Sequence, residues 1–339
     1  MKRLDGDILD RARSWLLPER GLFGGKATLV ALSGGADSLA LALALFSLKE
    51  ELGIPFVAAG HVDHGLRKES AAEAERVRAW ALERGIPFFS ERLAPPARAP
   101  EGVEAWARGA RYAALSRLRR AARCGLVATA HHRMDQAETV ALRLLRGTGA
   151  GGLAGILRSD PRRNLVRPFL DRDPGELRAW LRDLGEEWIE DPSNEDQRYA
   201  RNAVRHRILP AWEAREPGVP ALLAKIASEA GALLPALRAW ARETYPFRRR
   251  AGRFVAEIDP DDVALDDGTL LRLSCDEVFA ALSLAPPDAR RWERLMRKAR
   301  AGQRFCEQLS GGNFVRFEPR AEGGAVRFLL SFGPGPGVD

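Results

Sequence analysis

Hydrophobic positions between residues 27 and 147 follow two alternating patterns, short continuous runs and longer stretches of helical period. Ala27–Leu32 is a continuous apolar run, β-branched at Thr28 and Val30, and predicts a strand buried in a parallel sheet. Ser38–Leu52 predicts a helix, Phe56–Val62 a second strand, Glu69–Arg84 a second helix and Pro87–Arg92 a shorter third strand. Val103–Arg120 reads as helix, with Tyr112, Leu115 and Leu118 at core spacing. Leu126–Ala130 and Asp135–Arg146 add one more strand and helix. This order predicts an α/β fold with a doubly wound parallel sheet, whose ligands bind outside the carboxyl ends of the strands.

Glycine-rich Gly147–Gly155 ends the alternation. Asp173-Pro174 has the form of an N-cap and first helical residue, opening a helix to about Asp183. Helical patterns then run to about Thr244, with turns around Asp191–Ser193 and Pro217–Val219. Arg248-Arg249-Arg250 and Gly252 mark a boundary. Beyond it, Arg253–Ile258, Thr269–Ser274, Asn313–Glu318 and Val326–Ser331 have strand character and flank a helix around Pro287–Ala301. The expected organisation is a nucleotide-binding catalytic domain at 1–215, a helical connecting and substrate-binding region at 216–247, a small α+β module at 248–332 that contacts nucleic acid, and a flexible tail at 333–339.

Composition narrows the class. The chain of 339 residues has a net charge of +7 and a pI near 9.7, which favours a polyanionic partner. Six of the 53 basic residues are Lys, however, so genomic base composition explains much of the Arg content equally well. Cys124, Cys275 and Cys306 are isolated, form no C-x-x-C pair and fit a reducing cytosol. Met1–Asp10 is charged and has no signal-peptide core. Residues 27–48 approach membrane-span length, but Ser33–Ser38 interrupts them, so a soluble cytoplasmic protein with no membrane partner is expected.

The chemistry concentrates at the strand ends. Ser33-Gly34-Gly35-Ala36-Asp37-Ser38 lies between a buried strand and a helix. Its glycines allow a tight turn and close approach to a phosphate, which the serine hydroxyls and free helix-start amides can bind. Gly-Gly alone marks only a turn, and Asp37 also suits a plain N-cap. A P-loop is excluded, because Ala27 follows Gly25-Lys26 and Arg20 holds the first glycine position; no G-x-G-x-x-G opens the helix either. The six residues resemble the S-G-G-x-D-S loop of PP-loop pyrophosphatases. The second strand ends in His61-Val62-Asp63-His64-Gly65-Leu66-Arg67, and the fourth in Ala130-His131-His132-Arg133-Met134-Asp135-Gln136-Ala137-Glu138-Thr139. Asp135 and Glu138, three apart, share a helix face. They fit dipole-complementing acids, or a carboxylate pair that captures an ammonium group. The first four of the five histidines have no cysteine at zinc-ligand spacing, so capping or phosphate contact suits them better.

These motifs, with Glu104–Tyr112, Arg146-Gly147-Thr148-Gly149, Arg167-Pro168-Phe169-Leu170, Asp191–Asn194, Tyr199, Arg201-Asn202 and Arg205, resemble the tRNA(Ile)-lysidine synthase family of PP-loop ATPases, densely over 27–210. The family often has two acids before the glutamine; here Met134 replaces the first. The resemblance implies ATP-dependent ligation of free L-lysine to C2 of the wobble cytidine, position 34, of tRNA(Ile) with a CAU anticodon. It also implies an adenylated cytidine, with release of pyrophosphate and then AMP. Ser33, Gly34, Gly35, Ala36, Asp37, Ser38 and Val62 would bind the nucleotide, with Asp37 as Mg2+ ligand. Asp37, Arg111, Asp135, Glu138 and Arg205 would be catalytic, although Arg111 also reads as a surface helix charge and Arg205 as a tRNA phosphate contact. A homodimer is compatible with the resemblance. The rivals are a tRNA thiolase, for which the cysteines are poorly arranged; a noncatalytic RNA-binding protein, against which the intact loop argues; and an amidotransferase-type synthetase, which would need an N-terminal cysteine.

Overall fold

The apolar run at residues 27–32 forms β1 (Thr28–Ala31), buried at every position. In the computed structural model, which describes residues 6–65, 70–94, 96, 103–190, 200–259, 268–282, 284, 287, 289–309, 312–322 and 325–334, β1 is central to a six-stranded sheet. β2 (Val57–Asp63) and β4 (Leu126–Ala128) flank it in parallel, Thr28 standing opposite Val57 on one side and Leu126 on the other. β3 (Phe88–Arg92) lies outside β2. Beyond β4 comes β6 (Leu165–Val166), then β5 (Ser159–Asp160), which runs antiparallel to β6. The order β3-β2-β1-β4-β6-β5 reverses its winding between β1 and β4. That switch point opens a crevice beyond their carboxyl ends, where the loops at 33–38 and 129–135 both emerge.

Strand alternation assigns the layers. Leu29 and Ala31 pack with Leu115 and Leu118 of α4 (Val103–Ala121), whereas Val30 and Leu32 belong to a larger cluster with α2 (Ala36–Leu48). α1 (Gly6–Leu16), α3 (Ser70–Glu83) and α7 (Pro174–Asp183) contribute to that second cluster. Trp15 of α1 meets Trp180 of α7 edge-on at 5.6 Å and Phe169 at 5.9 Å. α2 is therefore covered on its outer side as well, and its residues from Ser38 to Leu45 are buried all round. A helix apolar on every face is a core helix here, which accounts for the membrane-like composition of residues 27–48. β2 contains Gly60 because an added Cβ would sit 2.7 Å from Leu29 Cδ2 of the neighbouring strand. As expected, Asp173 caps α7 by accepting from Gly175 N at 2.7 Å, with Pro174 in the first turn.

α5 (Arg133–Leu145) and α6 (Ala150–Leu153) follow β4; α8 (Ala200–Ala203), a π-helical turn (Val204–Ile208), α9 (Leu209–Arg215) and α10 (Val219–Thr244) follow α7. The chain divides into two compact units, Met1–Thr139 with Ile156–Ala224, and Val140–Gly155 with Lys225–Asp339. The second unit contains an antiparallel sheet of order β7-β8-β11-β10-β9: β7 (Arg248–Arg250), β8 (Arg253–Ile258), β9 (Phe305–Gln308), β10 (Asn313–Glu322) and β11 (Ala325–Pro334). Its helices are α11 (Thr269–Ala281) and α12 (Ala289–Arg300).

Several expectations change. Thr269–Ser274 is the start of a helix, not a strand. Leu270, Leu271, Ser274, Cys275 and Val278 are buried at helical spacing, a period that a six-residue window cannot display. Arg248–Arg250 is an exposed edge strand rather than only a boundary. Gly333 and Pro334 complete β11, opposite Phe314 and Asn313, instead of beginning a tail. α10 is long and apolar enough to cross a membrane by length and composition, yet its buried Leu223, Ala227, Leu234 and Ala241 form a single stripe, as on a surface helix.

Candidate functional site

The loop after β1 is shaped by its own side chains. Gly34 adopts φ +92°, and a Cβ there would meet Val77 Cγ2 at 2.8 Å and Ile189 Cδ1 at 3.0 Å. Ile189 N donates to Gly34 O at 2.9 Å, fastening the turn from outside. Ser33 N donates to Ser38 Oγ at 3.1 Å, and Ser38 Oγ donates to Gly35 O at 2.9 Å. Gly35 is the N-cap of α2 and no side chain caps it, so the helix start keeps its amide donors for an anion. His61 holds the adjacent strand end through its Nδ1, 2.8 Å from Leu32 O. Val62 is half-buried against the α4-side cluster with Phe89 and Tyr112.

The loop after β4 brings the second half of the site to the same crevice. His132 Nε2 lies 3.6 Å from Asp37 Oδ2 and 3.5 Å from Asp135 Oδ2, so one imidazole joins the phosphate loop to the carboxylate pair. Burial raises the Asp37 carboxyl above its ordinary range, against the opposing charges of His132 and Arg178. Burial also pushes Asp135 upward, but His132, Arg201 and His131 together outweigh it and hold the carboxyl low. His131, buried and surrounded by Arg167, Arg111 and Arg108, is depressed to about 3 despite Asp135 beside it. Gln136 pins α5 by exchanging two hydrogen bonds with the Ile156 backbone, at 2.6 and 3.0 Å.

Glu138 is fully buried and already holds two cations. Arg201 Nε donates to its Oε2 at 2.7 Å and Arg205 Nε to its Oε1 at 2.5 Å. Arg201 also reaches Asp135 Oδ1 at 2.6 Å, and an Arg205 terminal nitrogen lies 3.6 Å from the same oxygen. Arg205 belongs to the π-helical turn after α8, a local widening that recurs at functional sites. Arg201 and His132 stand with the expected residues, although the sequence offered Arg201 only as part of the family motif and His132 only as a capping or phosphate-contacting histidine. The four-residue spacing of Arg201 and Arg205 was the available signal for the first. Arg111 lies on α4 and feels the charge of Asp135; burial and neighbouring Arg108 push its guanidinium below the ordinary value. Leu66, Arg67, the Glu104 side chain, Asp191–Asn194, Arg198 and Tyr199 lie outside the described residues.

The donors suit Mg2+. Asp37 Oδ1 is buried with no hydrogen-bond partner, leaving a hard oxygen donor at the mouth of an anion-binding loop. Among the described residues no group of three His, Cys, Asp or Glu side chains is placed to enclose a metal ion. Mg2+ commonly uses one or two carboxylates and completes its shell with substrate phosphates and water.

A switch-point crevice with a glycine turn, an uncapped helix start and the half-buried Asp37 carboxylate is the arrangement of an ATP-using α/β domain. Residues 11–212 match the PP-loop domain family, and the chain belongs to it. The chain is similar to the tRNA(Ile)-lysidine synthase of Nitratidesulfovibrio vulgaris, 42% identical over 193 residues that cover 56% of this chain and 55% of that protein. It is also similar to the tRNA(Ile)-lysidine synthase of Thermus thermophilus, 45% identical over 202 residues, covering 59% and 38% respectively. The chain thus spans about half or less of the length of the relatives it matches. The solved U34-tRNA thiolase NcsA from Methanococcus maripaludis, 18% identical, superposes with a TM-score of 0.54 over 68% of this chain and 79% of that one. That likeness concerns the fold alone.

Proposed function

We propose that the chain joins free L-lysine to C2 of the wobble cytidine of tRNA(Ile) with a CAU anticodon, forming lysidine from ATP. The observation that carries this reading is the shared imidazole, His132, within 3.6 Å of both the phosphate-loop Asp37 and the cation-holding Asp135. Adenylation and amine attack both need such a junction. In the first step the cytidine O2 attacks the α-phosphorus of ATP, and the bond to pyrophosphate breaks. Ser33–Ser38 and the start of α2 bind the departing phosphates, while Arg111 and Arg205 offset negative charge in the transition state. Val62, at the carboxyl end of β2, would contact the nucleotide. Mg2+, held by Asp37, would supply further neutralisation of phosphate charge.

In the second step the lysine ε-amine attacks C2 and AMP leaves. Asp135 and Glu138 already bind guanidinium cations, so they have the charge and placement to bind an ammonium and draw off its proton. Lysine would compete with Arg201 for these carboxylates. The second unit, with Arg248–Arg250 exposed on its edge strand, contributes tRNA contacts. Sulfur delivery is a poorer reading, because burial raises the thiols of Cys124 and Cys275 and makes them weak nucleophiles.

The test is incubation with unmodified CAU-anticodon tRNA(Ile), ATP and labelled lysine, followed by nucleoside analysis. The expected result is label in a single modified cytidine, with AMP and pyrophosphate released in equal amounts. AMP formation that leaves no lysine on the tRNA would overturn the reading.

A further inference from the structure

On the α4 side of the large sheet, a cavity of about 520 Å³ opens between α4 and the turn joining β5 to β6. Its lining includes Leu115, Val127 and Leu165, members of the α4-side core, and the exposed Gly109. Two guanidiniums lie over the Tyr112 ring, that of Arg108 at 5.4 Å from the ring centroid and that of Arg163 at 5.1 Å. Arg162 also lines the cavity. Arg167, buried behind, donates to Leu157 O, its Nε has no partner, and its charge acts on the Tyr112 phenol. Arg111 adds its charge from the next position on α4.

Five arginines, Arg108, Arg111, Arg162, Arg163 and Arg167, thus surround one tyrosine. Opposing them, Asp160 lies 3.6 Å from Arg163. Grouping guanidiniums beside an apolar wall is unfavourable through mutual repulsion and lost hydration, unless an anion joins them. Held beside one ring, the guanidiniums of Arg108 and Arg163 offer planar N–H forks of the kind that phosphate oxygens accept. The nucleotide loop leads into α2, which packs on the face of the sheet opposite α4, so the cavity is separate from the turn that would hold the phosphates of ATP. Arg108, Arg162 and Arg163 are exposed along the rim, which suits a continuous backbone passing over it. The charges of Arg108, Arg111 and Arg167 also act on His131, beside Asp135, so the arginines form a track ending at the reacting centre.

We propose that this cavity binds a backbone phosphate of the RNA substrate, with Arg108 and Arg163 as its ligands and Tyr112 as the residue that positions them. The proposal deepens the tRNA reading above and rests on it for the identity of the RNA. Two variants test it, the double substitution Arg108→Gln with Arg163→Gln, and Gly109→Leu. No atom lies within 4 Å of a Cβ added at Gly109, so the larger side chain can occupy the cavity without displacing the helix. The probe is unmodified CAU-anticodon tRNA, titrated at several salt concentrations, beside the ATP-induced rise in Tm.

The double variant is expected to bind tRNA about tenfold more weakly. Its slope of log affinity against log salt should be shallower by roughly 0.7–0.9 for each phosphate that the variant no longer neutralises. Gly109→Leu should weaken binding in the same direction without altering charge, and the ATP-induced Tm rise should be unchanged in both. Unchanged tRNA affinity and slope in the double variant would overturn the proposal. So would a loss of the ATP response with tRNA binding intact, which would assign the arginines to the nucleotide. If the wild type binds tRNA and the variants do not, but no lysine is incorporated, the cavity stands as an RNA site and the ligase reading alone fails.

Discussion

Replacing Glu138 by Gln removes one negative charge from a fully buried position while keeping its shape. The carboxylate accepts from Arg201 at 2.7 Å and from Arg205 at 2.5 Å. Hydrogen bonds to charged groups contribute about 1.5–3 kcal/mol each; the amide oxygen of Gln retains roughly half of one such bond, while its NH2, a donor, cannot accept the other. The arginine side chains are 27% and 29% exposed, so water offsets part of the loss. The net destabilisation expected is about 2 kcal/mol. For a folding unit of this size that lowers Tm by about 4–8 °C. Lysine binding loses a charge-assisted bond of similar strength, so KM for lysine should rise about 30-fold. Pyrophosphate release in the first step should fall by less than about tenfold, through Arg205 alone, since Glu138 itself has no part in phosphate binding. The assay pairs a thermal melt with lysine titration in the tRNA reaction. Arg201→Gln is the control: it should also lower Tm, but leave KM for lysine no higher, because the carboxylates remain. An unchanged lysine KM in Glu138→Gln, with ATP use impaired instead, would refute the assignment of this pair to the amine.

Asp37→Asn should reduce tRNA-dependent AMP formation by about 100-fold or more, with tRNA affinity within about twofold in a filter-binding assay, because it acts on phosphate charge. Gly34→Ala should cost roughly 2–4 kcal/mol, from positive φ plus approaches of 2.8 Å to Val77 and 3.0 Å to Ile189, and should abolish the ATP-induced rise in Tm. His131 is held to about 3, so below about pH 6.5 the unfolded chain takes up a proton that the folded chain refuses. Stability should therefore fall as pH drops from 6.5 toward 3, by roughly 1–2 kcal/mol by pH 5; His131→Gln should flatten that part of the urea-denaturation profile, and an unaltered profile would refute it. Changing Arg248, Arg249 and Arg250 together to Gln should make tRNA binding less salt-dependent while the ATP response persists, since all three are exposed on an edge strand.

Much of this protein was legible in one dimension because the relevant signals are local. A buried strand, a glycine turn and a helix start are contiguous in sequence, so Ser33–Ser38 could be placed on the ligand side of a parallel sheet before any coordinates. The same holds for Asp173 and Pro174, whose capping role depends only on their neighbours. Asp135 and Glu138 share a face by helix geometry alone. Short windows failed where the period needed more residues than were read, as at Thr269–Ser274, and where pairing comes from a distant partner, as for β9 and the end of β11.

What required three dimensions was the company each side chain keeps. Val140–Gly155 groups with residues beyond 225, a relation no linear boundary expresses. Arg201 and Arg205 reach Glu138 across more than sixty residues of chain, and His132 joins two loops almost a hundred residues apart. The charge on a residue is written in its side chain, but the free energy of that charge depends on burial and on which opposite charges stand within a few ångströms. Those distances arise only when the strands are ordered 3-2-1-4 and their carboxyl ends meet at one crevice.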